Sequence, residues 1–314
     1  MAGKNPFLAR KAKPVVVGHR GVPRVHQENS LAGFRRAAAL GVPAIELDVR
    51  LTRDRKAVVF HDPDLRRMIG DARAVGDVTW DELSKLRLRR EVPMGVDATG
   101  TAVTVRYDRE ERIPLFSEVL AEVADRVAIN VELKLDMTRW WPTDIGLVAA
   151  KEIADAGATD RVIVTSFDPR KLRAANRRGP RLATGFCFDD TMLNFANLIL
   201  DRLPLGTGAD ERERHPHANA RRILNRILDS GIVAWLLGTR VVGAEHTLVG
   251  AETVEKLHDR GMAIGTHTLF PLGSTTSKPI APSAATALEV ERLVALNVDW
   301  IETDDPERLL PLVY

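Results

Sequence analysis

A single cysteine, Cys187, in 314 residues excludes an internal disulfide, and a lone thiol of this kind reads as a small buried residue in a chain expected to be cytoplasmic. Charge of one sign is also scarce in surplus. The 45 Lys and Arg against 43 Asp and Glu leave +2, too little for the global basic field of a nucleic-acid binder. No stretch stays free of charge long enough for a membrane helix. Met1 to Lys13 is basic but lacks the apolar stretch of a signal peptide, so export is not expected and a loose start is. Missing, too, is the glycine-rich phosphate loop that opens a doubly wound dinucleotide-binding sheet.

What is present is a hydrophobic fraction of 45%, ample for a large core, and a repeated strand-helix pattern. Val15 to Val17 reads as a strand. Asn29 or Ser30 then caps an Ala-rich helix from Leu31 to Leu40, which Gly41 stops. Ala44 to Leu51 alternates Ile45, Leu47 and Val49 with Glu46, Asp48 and Arg50, a strand by its period of two. Val58 to Phe60 leads to His61, and Val127 to Leu135 carries Asn130, Glu132 and Lys134 on one face. Further strands are expected at Val162 to Phe167, Leu182 to Phe188, within Val233 to Val242, at Met262 to Thr268 and at Val298 to Thr303, with helices between them.

About eight strands joined by helices imply a parallel sheet, and polar residues gathered at strand ends favour a closed (β/α)8 TIM barrel over an open sheet. The expected organisation is one domain over 1–314, with the barrel at about 15–310, an inserted subdomain at 64–112 and a helical insertion at 189–230. A capping box, Thr79 to Glu82, starts a helix inside the first insertion.

A barrel brings strand ends together at one mouth, so residues far apart in sequence can share a site there. Glu46 and Asp48 point the same way on one strand, and with Glu132 they offer the oxygen donors a hard divalent ion prefers; the alternative is charge pairing with Arg50. His19 and His61 each follow a valine-rich strand and suit acid and base roles, or are satisfied core histidines. Arg20 and Lys134 add fixed positive charge, useful for a phosphodiester or for pairing with those carboxylates.

In this order and spacing, Gly18-His19-Arg20-Gly21, Glu28-Asn29-Ser30, Glu46-Leu-Asp48-Val49, His61-Asp62, Val131-Glu132-Leu-Lys134, Ser166-Phe167 and Thr303-Asp304-Asp305-Pro306 resemble the glycerophosphodiester phosphodiesterase family, from about Val15 to Leu310. The resemblance implies a barrel of the phospholipase-C-like phosphodiesterase type that hydrolyses glycerophosphodiesters to sn-glycerol 3-phosphate and an alcohol. It also implies Glu46, Asp48 and Glu132 as ligands of Ca²⁺ or Mg²⁺, His19 and His61 as the acid-base pair, Arg20 and Lys134 as phosphate contacts, and Glu28 and Asn29 as residues shaping the site. A lysophospholipase D-like or sphingomyelinase D-like enzyme acting on an acyl-bearing substrate is a neighbouring reading, and a non-catalytic phosphodiester-binding protein one of another class.

The sequence departs from the family where Thr266-His267-Thr268-Leu269-Phe270 replaces the usual Trp-Thr-Val-Asn near the seventh strand, making His267 a polar group at the mouth or a packed histidine. Trp140-Trp141 forms an apolar rim or packs in an insertion, and Met192 to Leu205 is a lid or membrane-facing helix or packs on the barrel. Through these insertions the chain would touch a lipid surface. His215-Pro-His217 reads as a solvated loop, and the oligomeric state is not legible.

Overall fold

The structure, a computed structural model, describes residues 5–134, 144–189, 192–193, 218–274 and 280–314. Strand β1 (Val15–Gly18) leads to helix α1 (Leu31–Ala39), where the Ser30 hydroxyl accepts a hydrogen bond from the Gly33 N–H. Ala32, Phe34 and Ala37 bury one face of α1. β2 (Ala44–Leu51) then returns parallel to β1.

β3 (Ala57–Val59) runs antiparallel to β2 and lies outside the barrel. The turn explains this: Thr52 to Lys56 closes on itself through Thr52 Oγ1 and Lys56 N–H, whereas a parallel return needs a crossover of a dozen or more residues. Residues 64–112 hold α2 (Trp80–Ser84), capped by the expected Thr79–Glu82 box, and a hairpin of β4 (Glu91–Val96) with β5 (Ala102–Arg106). They bury a cluster of their own, including Leu65, Met68, Leu83, Leu88 and Val92.

After α3 (Phe116–Val123) the regular alternation resumes with β6 (Ala128–Leu133), α4 (Asp144–Asp155), β7 (Val162–Ser166), α5 (Pro169–Arg178) and β8 (Ala183–Phe188). Then come α6 (Ala218–Ser230), α7 (Ile232–Leu237), β9 (Val241–Glu245), α8 (Ala251–Asp259), β10 (Ala263–Leu269), α9 (Ala287–Ala295), β11 (Trp300–Thr303) and α10 (Pro306–Val313). The strand material expected from Val233 therefore starts only at Val241. Ile232–Leu237 is a helix bounded by Gly231 and Gly238, both at positive φ, and a six-residue apolar run has no period that separates helix from strand.

β1, β2 and β6 to β11 pair side by side in parallel, and β11 pairs back onto β1, which closes an eight-stranded barrel. Its floor is apolar: Val15, Ala44, Ala128, Ile163, Ala183, Val241 and Ala263 surround Trp300. A Cβ on Gly265 would lie 1.7 Å from the Trp300 ring, so only glycine leaves room for that indole. The expected loose start is instead anchored, because the Asn5 amide donates to Val162 O and Phe7 sets its fully buried ring edge-on to Trp300. Among the described residues no helix is long and apolar enough to cross a membrane.

Candidate active site

Parallel register places Glu46 opposite Asn130 and Asp48 opposite Glu132, so the inward faces of β2 and β6 stack their polar residues at the C-terminal mouth. Glu46, Asp48 and Glu132 bring carboxylate oxygens within 4.8 Å of one another. Below them Asn130 donates to Glu302 Oε1 at 2.8 Å and accepts from the Thr165 hydroxyl at 2.9 Å. Trp300 Nε1 also donates to Glu302, at 3.2 Å.

His19 leaves the end of β1 with its N–H bonded to Thr303 O, and its Nδ1 meets Asp304 Oδ1 at 2.6 Å. Its Nε2 faces Glu46 Oε2 at 3.9 Å. Asp304 uses its second oxygen to accept the Leu272 N–H at 2.8 Å. His61 is held in the same manner, Nδ1 to Asp62 Oδ1 at 2.7 Å, while its carbonyl accepts two bonds from Arg50, at 2.9 and 2.7 Å.

Arg20, at φ 54, turns its N–H to Glu46 Oε2 and its guanidinium to Glu28 at 3.0 Å and Asp48 at 3.2 Å. Asn29 and Asp48 bond reciprocally, amide to carboxylate at 2.8 Å and N–H to side-chain oxygen at 3.1 Å. Lys134 Nζ lies 2.7 Å from Glu132 and 3.3 Å from Asp48. Lys171, buried on α5, donates to the Lys134 carbonyl. All nine residues singled out in the sequence thus meet at this mouth.

The charges tune one another. Burial, reinforced by Asp48, Glu302 and Glu132, pushes the Glu46 carboxyl well above its usual range. Burial also raises Asp48, but Lys134 and Arg20 overcome it and hold that carboxyl well below. Glu132 is lowered because Lys134 outweighs its burial, and Glu28 is held at about 2 because Arg20 and Arg67 outweigh its own. Burial, with Arg20 and Lys134, lowers His61 to about 4.

Among the described residues two groups have the spacing of a metal site. In the first, Glu46 Oε1 and Asp48 Oδ1 are buried with no hydrogen-bond partner, and the donors are all hard oxygens, so the triad fits a divalent cation. In the second, Glu28, His61 and Asp62, the carboxylates are already taken by Arg67, which bonds Glu28 at 2.6 and 2.9 Å and Asp62 at 2.7 and 3.0 Å. That group fits an arginine.

Beside His19 and Arg20 lies a cavity of about 130 Å³, walled by Glu28, Met94, Thr268 and Pro271. The first insertion reaches it through an antiparallel bridge, Val96 to Ser274. His267 is half-buried at the mouth with its ring edge-on to Phe167, 6.5 Å between centroids, which combines both alternatives weighed for it. Trp140-Trp141, His215-Pro-His217 and all of Met192 to Leu205 except Met192 and Leu193 lie outside the described residues; those two pack against the barrel-helix core. Sequence reasoning missed Arg67 and Glu302 and gave Asp62 and Asp304 no role. Asp62 and Asp304 stand beside a chosen histidine or at a strand end; Arg67, inside an irregular insertion, carries no such signal.

Parallel strands that deliver carboxylates and cations to one mouth define the class, a (β/α)8 barrel whose strand ends form a charged site fit for a divalent cation. The profile of the Glycerophosphoryl diester phosphodiesterase family matches residues 19–308, and the chain belongs to that family. It is 32% identical over 177 residues to a glycerophosphodiester phosphodiesterase of Caldanaerobacter subterraneus, covering 56% of this chain and 67% of that one. With a Bacillus altitudinis glycerophosphodiester phosphodiesterase it shares 32% over 169 residues, 53% of this chain and 63% of the relative, less than two thirds of its length. A lysophospholipase D of Rattus norvegicus is 32% identical over 135 residues, 42% of this chain and 38% of that protein. The fold is shared with an Oleispira antarctica phosphodiesterase solved with its product sn-glycerol 3-phosphate, at TM-score 0.65 and 17% identity over 96% of both chains.

Proposed function

We propose that this protein hydrolyses glycerophosphodiesters to sn-glycerol 3-phosphate and an alcohol, with Glu46, Asp48 and Glu132 holding Mg²⁺ or Ca²⁺ and with His19 and His61 as the acid-base pair. The observation that carries the reading is the pairing: each histidine is held through Nδ1 by its own aspartate, at 2.6 and 2.7 Å, beside a carboxylate triad in which Glu46 Oε1 is buried without a hydrogen bond and Asp48 Oδ1 faces Lys134 Nζ at 3.3 Å. When bound, the cation would neutralise phosphoryl oxygen charge and draw electrons from phosphorus.

His61 donates its Nδ1 proton to Asp62, which leaves Nε2 as a lone pair, and its lowered pKa of about 4 keeps it neutral at pH 7. It therefore takes the proton from the attacking oxygen, from water directly or from the substrate's neighbouring hydroxyl. In the second case the cyclic phosphate formed is opened by a water that gives its proton to His19 while His61 returns its own to the ring oxygen. His19, oriented by Asp304, supplies a proton to the departing alkoxide, so one proton enters the site's base as one leaves its acid. Arg20 and Lys134 offset phosphate charge at the mouth, Glu28 fixes the Arg20 guanidinium, and Asn29 fixes Asp48.

The cavity of about 130 Å³ is small beside the roughly 300–1,000 Å³ of pockets for drug-sized ligands, which supports a deacylated glycerol group over an acyl chain. The product held by the Oleispira relative supports the same choice. Cys187, a buried free thiol, supports cytoplasmic placement.

The test is incubation with glycerophosphocholine, glycerophosphoethanolamine and lysophosphatidylcholine, each with Mg²⁺, Ca²⁺ or EDTA. Metal-dependent release of sn-glycerol 3-phosphate from the first two is expected. Choline and lysophosphatidic acid from the third alone would make the protein a lysophospholipase D, and no product with any substrate and metal would overturn the enzymatic reading.

A further inference from the structure

At the end of the barrel away from the mouth, α7 joins α6 to the start of β9 and buries little of its apolar sequence. Ile232, Trp235 and Leu236 are 51%, 72% and 59% exposed. Large side chains left this open on neighbouring positions mark a contact surface rather than a packing accident. A groove of about 630 Å³ runs between α7 and the turn into β10, lined by Ile232, Trp235, Thr239, Arg260 and Met262.

The surroundings are basic. Exposed Arg177 and Arg178 end α5, which packs against α7, and Arg181, Arg240 and Arg260 sit on the turns into β8, β9 and β10. Among the described residues, no carboxylate pairs with Arg177, Arg178, Arg181 or Arg240. Arg260 donates to the carbonyls of Asp229 and Lys256. Exposed Arg10, Lys11 and Lys13 extend the charge toward β1, and Arg10 donates to the carbonyl of His258 at the end of α8. Asp229 and Asp259 oppose this charge from the same side, and Asp229 accepts a bond from Thr253.

We propose that this face docks on an anionic phospholipid bilayer, with Trp235 and Leu236 entering the interfacial region and the arginines on lipid phosphates. Charge complementarity selects that occupant. A second copy related by a two-fold axis would set the same five arginines against one another, whereas an anionic surface meets aromatic and guanidinium groups together. Docked in this way, the barrel turns its catalytic mouth away from the bilayer, so the inference is independent of which diester is cleaved.

The experiment uses the full chain with vesicles of phosphatidylcholine alone or with phosphatidylglycerol, read by flotation and by tryptophan emission. Flotation with the anionic vesicles only, lost in high salt, and a blue shift absent from Trp235→Phe are expected. Trp235→Ser combined with Leu236→Ser should lower the bound fraction about tenfold or more, and Arg181→Glu with Arg240→Glu likewise, with the melting temperature and the hydrolysis of a soluble diester unchanged. Absence of anionic-vesicle flotation, flotation equal in the variants, or a dimer in solution that Trp235→Ser dissolves would overturn the proposal.

Discussion

At the floor of the barrel β2 turns Ala44 inward, among Val15, Ala128 and Trp300; two residues further on the same strand it turns Glu46 inward, and two further Asp48. The floor removes apolar surface from water with no charged side chain to desolvate. The mouth strips water from carboxylates, an arginine and a lysine, and must compensate by pairing them. Depth along the strand, more than the strand's own composition, decides whether an inward residue stabilises the fold or carries chemistry. The two regions are not wholly separate, since Trp300 at the floor donates to Glu302, whose charge in turn raises Glu46.

The sharpest way to separate them is to remove a function at the mouth and leave the floor alone. His61→Ala should lower kcat for glycerophosphocholine about 10³-fold or more in steady-state assays while the urea midpoint moves little. An equal loss of stability would merge the two regions. In the opposite direction, Trp300→Ala should cost about 3–5 kcal/mol in urea denaturation, because it empties the largest fully buried side chain of the floor.

The smallest effect concerns a carboxylate that lacks the mouth's compensation. Glu152, on α4, has a buried Oε2 with no partner, and burial lifts its pKa from 4.5 to about 7. The folded state then binds more protons than the unfolded chain between those values, so stability contributed below pH 4.5 is lost as pH rises toward 7. Glu152→Gln should match the wild type at pH 4 and exceed it by about 1 kcal/mol at pH 8 in thermal or urea melts, the figure allowing for partial solvent screening.

Much of the mouth was legible because β2 announces itself: Ala44–Leu51 begins and ends where the period of two says, and the same alternation points Glu132 at Asp48 across the β2–β6 ladder. The Ser30 cap and the Thr79–Glu82 box were equally local. What failed depended on distance or on surface. The apolar run Ile232–Leu237 imitated a strand because outward apolar residues look like core ones in sequence. Arg67 and Glu302 required knowing which remote segments meet.

Asp304 reaches His19 with one oxygen and the Leu272 N–H with the other. The loop at Leu272 borders the cavity where a head group or glycerol would sit, and that loop is also bridged to the first insertion. Reshaping the cavity to accept a new alcohol would therefore pull on His19, the proposed proton donor, through one shared carboxylate. On that reading selectivity and turnover are mechanically wired in series, and an engineer or a lineage altering one inherits a change in the other.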